Sequence, residues 1–381
     1  MFEREIKELK KGRLLRTILS RDSSQGPVIA IAGKKYINFS SNDYLGLAGN
    51  PEILQAVRDS LRRYAFGSGS SRLLAGGSSL HAMLEERVAR FKRTESALIF
   101  NSGYAANTGV IPSIASEDDV ILSDELNHAS IIDGCRLSRA RTLIYRHRDM
   151  KDLQALMKKV KARRKVVITD SVFSMDGDLA PIPSLHEVCR SHGALLYLDD
   201  AHGTGVLGGG KGALAHFGIK PEPWIIQMGT FSKALGAFGA FAAGSRDVIQ
   251  WIANTARSFL FSTALPSSVI AAAAAGLELA ERDPLLAERL WLNRERLYKG
   301  LKDIGLEDII SETPILTVRT AAISNALRLS EFLYENGVYV PAIRPPTVRE
   351  PRLRITVTAA HRKKHIDTLL SLLKKTGRFP V

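Results

Sequence analysis

The chain has 381 residues, and its hydrophobic and charged fractions of 45% and 24% are ordinary for a soluble globular protein. This length indicates two or three domains, or one large α/β domain with a smaller companion, and no charge-free apolar run is long enough to cross a membrane. The charged start at residues 1–5 is unlike a secretory signal, and the two cysteines, Cys135 and Cys189, argue against a disulfide framework. We therefore expect a cytoplasmic protein in a reducing compartment.

The formal net charge of +14 has two ordinary explanations, a nucleic-acid partner or an anionic small substrate. The densest basic run, residues 158–165, closes a helical pattern and precedes an apolar strand. No aromatic residue interleaves it, so it offers no stacking platform for bases. We interpret the run mainly as a solvated helix end, where cations are favourable, and less as a dock for an acidic partner. We expect no nucleic-acid partner.

The first part of the chain combines helices with a short hairpin. We expect a helix over residues 1–20, because its apolar stripe consists of Ile6, Leu9, Leu14 and Ile18. The elements that follow are, in order, two short strands over 28–39 that turn near Gly33, a turn-rich segment over 38–47, a helix from Pro51 to about 64, and a helix over 80–91 that residues 76–79 cap.

From residue 97 onward, short apolar strands alternate with helical segments. The strands are predicted at residues 97–100, 120–122, 142–145, 166–169, 195–199, 224–227 and 238–243. These runs are apolar on both faces, which is typical of a mostly parallel sheet covered by helices on both sides. The pattern therefore predicts a large α/β domain.

Beyond Pro266 the pattern is helical to about residue 303, with a break near Pro284. The chain then ends in a smaller α+β unit, with strands predicted at 315–318, 339–343 and 353–357 and helices at 321–336 and 362–375. We predict three parts: an N-terminal helix with short strands (1–46), a large α/β domain (47–283) and a small C-terminal α+β domain (284–381).

Polar residues gather where the predicted strands end, and in open α/β sheets ligands bind beyond the carboxyl ends of the strands. Five strand ends carry acids, histidines, hydroxyls and a lysine, among them Tyr104, His128, Ser174, Asp199, His202, Thr230 and Lys233. Such a scatter is unexpected in a purely structural sheet. We therefore predict an active site at this edge.

Lys233 lies between an apolar run, residues 224–226, and a series of small residues. A poorly solvated lysine has a lowered pKa, because desolvation disfavours the charged form. The neutral amine can attack a carbonyl and form a Schiff base. A surface lysine after a strand is the plain alternative, and this stretch alone leaves it open.

The chemistry that these residues could share is that of pyridoxal phosphate, which needs a lysine for the Schiff base and an acid opposite its pyridine nitrogen. Asp199 suits that acid at the end of a buried strand, although a turn cap is its alternative. Gly103 and Tyr104 open a helix whose amides could bind the phosphate, and Tyr104 could also cover the ring. Further contacts to the ring or its phenolic oxygen could come from His128, His202 and Ser174.

Two glycine-rich patterns offer a different reading, that of a nucleotide-binding protein. Residues 203–208 match a dinucleotide-binding loop, but the glycines that follow oppose the helix that must start there. Residues 205–211 resemble a P-loop, but Gly212 stands where a metal-binding hydroxyl is required. We interpret the glycines as a tight loop beside Asp199 and His202.

Five segments in order, residues 38–47, 101–107, 173–178, 198–205 and 229–236, resemble the α-oxoamine synthases. These are fold-type I pyridoxal-phosphate enzymes with an aspartate-aminotransferase-like fold. Residues 342–348 and 352–361 resemble the branch that acts in biotin biosynthesis more than they resemble glycine C-acetyltransferase. The chain departs from that branch at residues 349–351, which form a shorter segment.

The resemblance implies a role for each matching residue. Lys233 would hold the cofactor as an aldimine and act as acid and base, and Asp199 would pair with the ring nitrogen. Arg354 would hold the amino-acid carboxylate, where a planar bidentate fork fits. The other implied contacts are His202 and Ser174 to the phenolic oxygen, Gly103, Tyr104 and Thr230 to the phosphate, His128 to the ring and the substrate, and Arg16 and Thr347 to the acyl substrate.

The implied reaction is a decarboxylative condensation of L-alanine with pimeloyl-CoA or pimeloyl-acyl carrier protein, without a metal, in a homodimer whose sites lie at the interface. The basic charge suits both thioesters, since coenzyme A and carrier protein are anionic. Glycine with acetyl-CoA is the alternative within the family. Outside it, the alternatives are a nucleotide-binding protein and a regulator with a retired aminotransferase domain, although no helix-turn-helix extension is present.

Overall fold

The computed structural model describes residues 2–306, 309 and 311–376. Its helices are α1 (Glu3–Lys11), α2 (Pro51–Tyr64), α3 (Ser79–Lys92), α4 (Gly103–Ile114), α5 (Ala129–Ser138), α6 (Met150–Lys159), α7 (Ile182–His192), α8 (Ala213–His216), α9 (Arg246–Thr255), α10 (Arg257–Leu260), α11 (Ser267–Arg282), α12 (Pro284–Asp303), α13 (Ile323–Glu335) and α14 (Lys363–Lys375). Its strands are β1 (Val28–Ile31), β2 (Lys34–Asn38), β3 (Ser96–Phe100), β4 (Val120–Asp124), β5 (Arg141–Tyr145), β6 (Lys165–Asp170), β7 (Leu195–Asp199), β8 (Ile225–Thr230), β9 (Ala240–Gly244), β10 (Ile315–Arg319), β11 (Val338–Tyr339), β12 (Ala342–Ile343) and β13 (Arg352–Thr356).

These elements form two compact units. Unit 1 contains residues from 1–46, 175–178 and 288–381, and unit 2 contains residues 47–174 and 179–287. The predicted division into 1–46, 47–283 and 284–381 stays a prediction about folding domains. Among the described residues, no helix is both long enough and apolar enough to span a membrane.

Unit 2 contains one seven-stranded sheet in the order β3-β9-β8-β7-β6-β4-β5. In this sheet β9 runs antiparallel to its neighbours β3 and β8, whereas the remaining pairs are parallel. The carboxyl ends of all strands except β9 therefore lie along one edge. The prediction of an α/β fold with a mostly parallel sheet is confirmed.

Side chains of the strands pack alternately into two cores, one on each face of this sheet. In β3, Leu98 and Phe100 belong to the core that α4, α5 and α9 cover, whereas Ile99 belongs to the core that α3 and α11 cover. A strand that is buried on both faces cannot alternate between apolar and polar residues. This burial explains why the strands appear in the sequence as continuous apolar runs.

Unit 1 contains two three-stranded sheets, β1-β2-β11 and β10-β13-β12. In the first sheet β1 pairs antiparallel with β2 and β11 pairs parallel with it, and the second sheet is antiparallel throughout. Tyr36 of β2 stacks on Tyr334 of α13, with ring centroids 4.3 Å apart. A small core of Ile29, Ile31 and Tyr36 holds the first sheet against that helix.

The N-terminal helix is shorter than predicted. It ends at Lys11, and Arg13 then adopts a left-handed conformation with φ 55°. The N–H groups of Leu14 and Leu15 both donate to the Leu9 carbonyl, which closes the helix end. The predicted continuation to residue 20 was therefore wrong, and Ile18 is 94% exposed rather than part of an apolar stripe.

The segment predicted as one strand over residues 339–343 is divided between two sheets. Tyr339 ends β11, which pairs with β2, whereas Ala342 begins β12, which pairs with β13. Pro341 lies between them, and proline has no N–H to donate to a strand ladder. The apolar run was correctly identified as extended, but its single-strand assignment was wrong.

Candidate active site

The shared edge of the unit 2 sheet carries most of the predicted site residues. Gly103 and Tyr104 begin α4 after β3, His128 caps α5 after β4, Ser174 follows β6, Asp199 ends β7 with His202 behind it, and Thr230 ends β8 ahead of Lys233. Asp199 and Lys233 both act electrostatically on the imidazole of His128. The acid, the histidine and the lysine therefore form one cluster.

Asp199 is a buried carboxylate with a donor on each oxygen. The backbone N–H of Ala201 donates to Oδ1 at 3.0 Å, and Nδ2 of Asn107 donates to Oδ2 at 2.8 Å. Only 4% of the residue is exposed. Hydrogen bonds from N–H donors favour the ionised form of a carboxyl group. This arrangement is suited to pairing the Asp199 carboxylate with a positively charged group.

A second acid, Asp170, lies beside Asp199 on the neighbouring strand, where the two residues are paired in the register of β6 and β7. Burial, and next the charge of Asp199, raise the pKa of Asp170 well above its usual range, although the His128 N–H donates to its carboxylate at 2.7 Å. Two adjacent carboxyl groups resist double ionisation. The raised pKa therefore favours the protonated form of Asp170.

His128 is neutral in this environment. Burial is the main cause of its lowered pKa, Lys233 lowers the pKa further, and Asp199 opposes both effects. Its Nδ1 lies 2.7 Å from Ser130 Oγ and accepts from the Ser130 N–H as the cap of α5. The ring is therefore held at the beginning of a helix, where a neutral side chain can contact a ligand.

The beginning of α4 offers amides for an anion. Ser102 caps the helix by accepting from the Ala105 N–H at 3.1 Å, and a Cβ built on Gly103 would meet only Met228 Cε, at 3.8 Å. Tyr104 is half exposed, and its hydroxyl donates to Asp133 at 2.6 Å. First-turn N–H groups have no partner within a helix and bind phosphate readily.

Thr230 ends β8, and Lys233 lies in the loop between β8 and β9. The buried Thr230 hydroxyl donates to the Gly239 carbonyl at 2.8 Å and accepts from the Ser232 N–H at 3.1 Å. These bonds bend the loop tightly after β8. Lys233 is partly buried at its centre, between the fully buried Phe231 and Ala234. The predicted contact of Thr230 with a phosphate stays a prediction.

The glycine-rich loop, residues 203–212, encloses a buried ion pair. Lys92 Nζ lies 2.8 Å from Asp200 Oδ2 and donates to the Lys211 carbonyl at 2.7 Å. The N–H groups of Gly205 and Gly212 donate to carbonyls within the loop, and the helix that follows has four residues. These loop amides are used internally, so the geometry does not favour the nucleotide-binding alternative.

The remaining predicted residues lie in unit 1. Arg354 is buried in β13, where Nη1 donates to Thr356 Oγ1 at 2.9 Å and Nη2 donates to Asn42 Oδ1 at 3.0 Å. Burial raises the pKa of the Tyr44 hydroxyl to about 12, and the positive charge of Arg354 opposes this effect. Arg16 and Thr347 are exposed and hydrogen-bonded to each other.

The residues at the sheet edge fit pyridoxal phosphate. Asp199 would offer a buried carboxylate to a protonated pyridine nitrogen, and the helix start at Gly103 would offer amides to a phosphate. Lys233 supplies the amine in the same electrostatic cluster as Asp199. A carboxylate, an anion site and a lysine are the groups that the cofactor requires. Among the described residues, no group of three or more histidine, cysteine or acidic side chains could hold a metal ion.

Two residues of this site were not predicted from the sequence. Asn107 joins Asp199 to Ser130, and Asp170 shares its strand register with Asp199. An available signal for Asp170 was its position directly after a buried strand. Asn107 lies within a helix and has no such signal, since only the packing of α4 against the sheet brings it to Asp199.

Comparisons with known proteins agree with this geometry. The model of the family "Aminotransferase class I and II" matches residues 34–373. One relative is a protein of Thermodesulfovibrio yellowstonii that is provisionally named 8-amino-7-oxononanoate synthase. It is 51% identical to this chain over 374 residues, which cover 98% of this chain and 96% of that protein. The 8-amino-7-oxononanoate synthase of Geobacter sulfurreducens is 44% identical over 380 residues, 98% of this chain and 97% of that protein.

Solved structures show the same fold. Serine palmitoyltransferase from S. paucimobilis with bound pyridoxal phosphate and myriocin matches with a TM-score of 0.93 and 28% identity, over 99% of this chain and 97% of that chain. The 8-amino-7-oxononanoate synthase of Francisella tularensis matches with a TM-score of 0.79 and 27% identity, over 90% of this chain and 98% of that chain.

Proposed function

The chain belongs to the class I and II aminotransferase family of pyridoxal-phosphate enzymes, and we propose that it condenses L-alanine with a pimeloyl thioester to give 8-amino-7-oxononanoate, carbon dioxide and a free thiol. The predictions of an α-oxoamine synthase, of an acyltransferase and of pyridoxal phosphate as cofactor are confirmed. The name 8-amino-7-oxononanoate synthase, which its relatives carry, supports this product. Alanine, the pimeloyl donor and the residue roles are parts of the proposal.

The observation that carries the proposal is the charge arrangement at Asp199. This carboxylate is buried, has an N–H donor on each oxygen, and lies in one cluster with Lys233 and His128. Burying an ionised acid is costly unless a partner compensates it. A cationic ring nitrogen would be such a partner, and a structural sheet has no need of this arrangement.

When bound, pyridoxal phosphate supplies an electron sink for negative charge at the Cα of an amino acid. In our proposal Asp199 keeps the ring nitrogen protonated, and the amides at Gly103 and Tyr104, with Thr230, bind the phosphate. Ser174 and His202 would hydrogen-bond the phenolic oxygen, and His128 would lie against the ring. Lys233 would hold the cofactor through its amine.

The proposed proton carrier is Lys233, which would remove the proton at Cα of alanine and later return one. An amine can take a proton only in its neutral form, so this role requires a pKa near the working pH. Lys233 is partly buried and belongs to the electrostatic cluster with Asp199 and His128, which supports a chemical role for its amine. His128 stays neutral and does not compete with Lys233 for the proton.

We further propose substrate-binding roles for Arg354, Arg16 and Thr347. Arg354 would bind the carboxylate of alanine, and its two hydrogen bonds to Thr356 and Asn42 hold the guanidinium in one orientation, which supports this role. Arg16 and Thr347 would bind the acyl chain of the thioester. Both are exposed, so a ligand can reach the hydrogen bond that joins them.

The proposed assembly is a homodimer. Phe66, Leu73, Leu74 and Phe261 of unit 2 expose between 60% and 80% of their surface. A β-bridge between Ser71 and Thr263 holds their two segments together, and Asn101 beside the start of α4 donates to the Thr263 carbonyl at 2.9 Å. Exposed apolar surface of this kind marks interaction sites, and a second copy that covered it would lie next to the proposed phosphate site.

A steady-state assay with matched substrates tests the proposal. Purified chain loaded with pyridoxal phosphate is offered L-alanine or glycine, each with pimeloyl-CoA, pimeloyl-acyl carrier protein or acetyl-CoA, and thiol release is followed. We expect alanine with a pimeloyl donor to exceed glycine with acetyl-CoA in kcat/KM by about tenfold or more. If the pair of glycine and acetyl-CoA were the only one turned over, the chain would instead be a glycine C-acetyltransferase.

A further inference from the structure

A chain of buried hydrogen bonds connects Asp199 to His128. Asn107 Nδ2 lies 2.8 Å from Asp199 Oδ2 and 2.8 Å from Ser130 Oγ. Ser130 Oγ in turn lies 2.7 Å from His128 Nδ1. Asn107 and Ser130 are 0% and 1% exposed, so water does not compete for these bonds. The two residues come from α4 and α5, which pack against each other.

The chemistry of the groups and the backbone contact at His128 together indicate the direction of each bond in this chain. An ionised carboxylate only accepts, so the Asn107 atom that faces Asp199 must be the amide nitrogen. That nitrogen has two protons, and the second one goes to Ser130 Oγ. The Ser130 hydroxyl proton is then available for His128 Nδ1, and Nδ1 also accepts from the Ser130 backbone N–H at 3.3 Å, so both contacts favour an unprotonated Nδ1. A neutral imidazole has one proton, which therefore lies on Nε2.

Tyr197 adds a further hydrogen bond, to the Asn107 side chain within this chain. Its hydroxyl lies 2.6 Å from Asn107 Oδ1, which as a carbonyl oxygen accepts the bond. The Nδ2 group of Asn107 thus has two acceptors and its Oδ1 has one donor. The amide cannot rotate without breaking several of these bonds. Tyr197 is fully buried on β7, which raises the pKa of its hydroxyl well above the usual range and keeps it a donor.

We propose that Asn107 and Ser130 are positioning residues, which hold the Asp199 carboxylate and fix His128 as the tautomer protonated on Nε2. The proposal rests on the proposed function, because it assigns these two residues to the same site. It explains why an amide, with two N–H groups, lies between an acid and a hydroxyl. Leucine in its place would satisfy neither Asp199 nor Ser130.

One consequence concerns the chemistry open to His128. With Nδ1 occupied by Ser130 and the proton on Nε2, the ring can donate a hydrogen bond to a substrate oxygen. It has no free lone pair with which to remove a proton. His128 therefore acts as a donor to developing negative charge, and proton removal is left to Lys233. The lowered pKa of His128 agrees with a neutral ring.

The first test reads the tautomer directly by nitrogen NMR. The full chain is labelled with 15N-histidine and observed with and without pyridoxal phosphate, and the His128 signals are assigned by their loss in His128→Gln. We expect an unprotonated Nδ1 and a protonated Nε2 in both forms. A His128 protonated on Nδ1, or on both nitrogens near neutral pH, overturns the proposal whatever the enzyme's substrates are.

The second test separates the two residues by substitution. Ser130→Ala should shift the two His128 nitrogen signals towards each other and leave the affinity for pyridoxal phosphate within about twofold. Asn107→Leu should do the same to His128 and also weaken cofactor binding by about tenfold or more, since a charged acceptor loses a donor. The readout is fluorescence titration of the cofactor-free chain with pyridoxal phosphate.

A matched control lies at the other end of α5. The buried Ser138 hydroxyl donates to the Cys135 carbonyl at 2.6 Å and has no link to His128. Ser138→Ala should leave the His128 signals and the cofactor affinity unchanged. If Asn107→Leu does not fold, Tyr197→Phe replaces it, because loss of the bond to Oδ1 should also weaken cofactor binding. Unchanged His128 signals in Ser130→Ala would contradict the proposal, even in an enzyme with the proposed activity.

Discussion

Arg16 donates a hydrogen bond of 2.9 Å from Nη2 to the hydroxyl oxygen of Thr347, although 331 positions separate the two residues. Arg344 strengthens the connection by donating from Nη2 to the Leu15 carbonyl at 2.8 Å. The irregular segment after α1 is thereby attached to the loop that follows β12. The sequence surroundings of Arg16 alone would suggest a solvated basic residue, but its side chain has a defined hydrogen-bond partner.

The first prediction concerns this pair. Arg16→Lys and Thr347→Val should each raise KM for the pimeloyl donor by about tenfold and leave KM for alanine nearly unchanged, because lysine lacks the planar fork and valine lacks the hydroxyl. Arg328→Ala, at an exposed arginine of α13, is the matched control and should change neither constant. Equal KM values for the pimeloyl donor in all four proteins would remove the pair from the acyl site.

The second prediction concerns two glycines of the loop 203–212. A Cβ on Gly212, whose φ is +102°, would lie 1.8 Å from Asp200 Oδ2, whereas a Cβ on Gly209, whose φ is +63°, would meet nothing within 4 Å. Gly209→Ala should therefore cost only the left-handed strain of about 1–2 kcal/mol. Gly212→Ala must also displace a buried ion pair and should cost about 3 kcal/mol or more. Urea unfolding measures both, and equal losses would show that the loop does not close around Asp200.

The third prediction concerns the ion pair itself. The side chains of Lys92 and Asp200 are 0% and 2% exposed. Lys92→Met leaves an uncompensated buried carboxylate and should lower the free energy of unfolding by about 3–5 kcal/mol. The double variant Lys92→Met/Asp200→Asn should regain part of that loss. The control is Arg282→Ala, which breaks an exposed pair with Glu52 and should cost less than about 1 kcal/mol. A similar loss of unfolding free energy in Lys92→Met and Arg282→Ala would contradict the assignment of Lys92 and Asp200 as a buried ion pair.

The fourth prediction concerns acid stability. Burial lowers the pKa of His361 from 6.5 to about 3, and this ring stacks on Phe39 with centroids 4.4 Å apart. Between these pH values the unfolded chain binds the proton that the folded chain refuses, so stability falls as the pH is lowered through this window. In the folded protein the His361 NMR signal should not titrate above about pH 4. A His361 that titrates near 6.5 would show that this histidine contributes nothing to acid unfolding.

The sequence was a good guide to the large domain for a physical reason. Strands buried on both faces must be apolar throughout, so runs such as 166–169 and 195–199 stand out, and the residues directly after them face the shared edge. Asp199 and Lys233 could be found in this way. Pro51 and Ser78 mark helix beginnings through local chemistry, and the structure has helices there.

What the sequence could not provide depends on contacts between distant segments. Asn107 has no local feature that distinguishes it from a surface asparagine, and only the packing of α4 brings it to Asp199. The hydrogen bond between Arg16 and Thr347 has no sequence signature either. The early end of α1 was missed for the opposite reason, since a continuing apolar spacing outweighed the local signal of Gly12.

The most direct measurement is the site of cofactor attachment. The purified chain is incubated with pyridoxal phosphate, reduced with borohydride and digested, and the peptides are analysed by mass spectrometry, with Lys233→Ala as the control. We expect the added mass on the peptide that contains Lys233 and none on the corresponding peptide of the variant. A chain that gains no mass, or gains it equally in the variant on another lysine, would contradict the assignment of Lys233 as the reactive amine opposite Asp199.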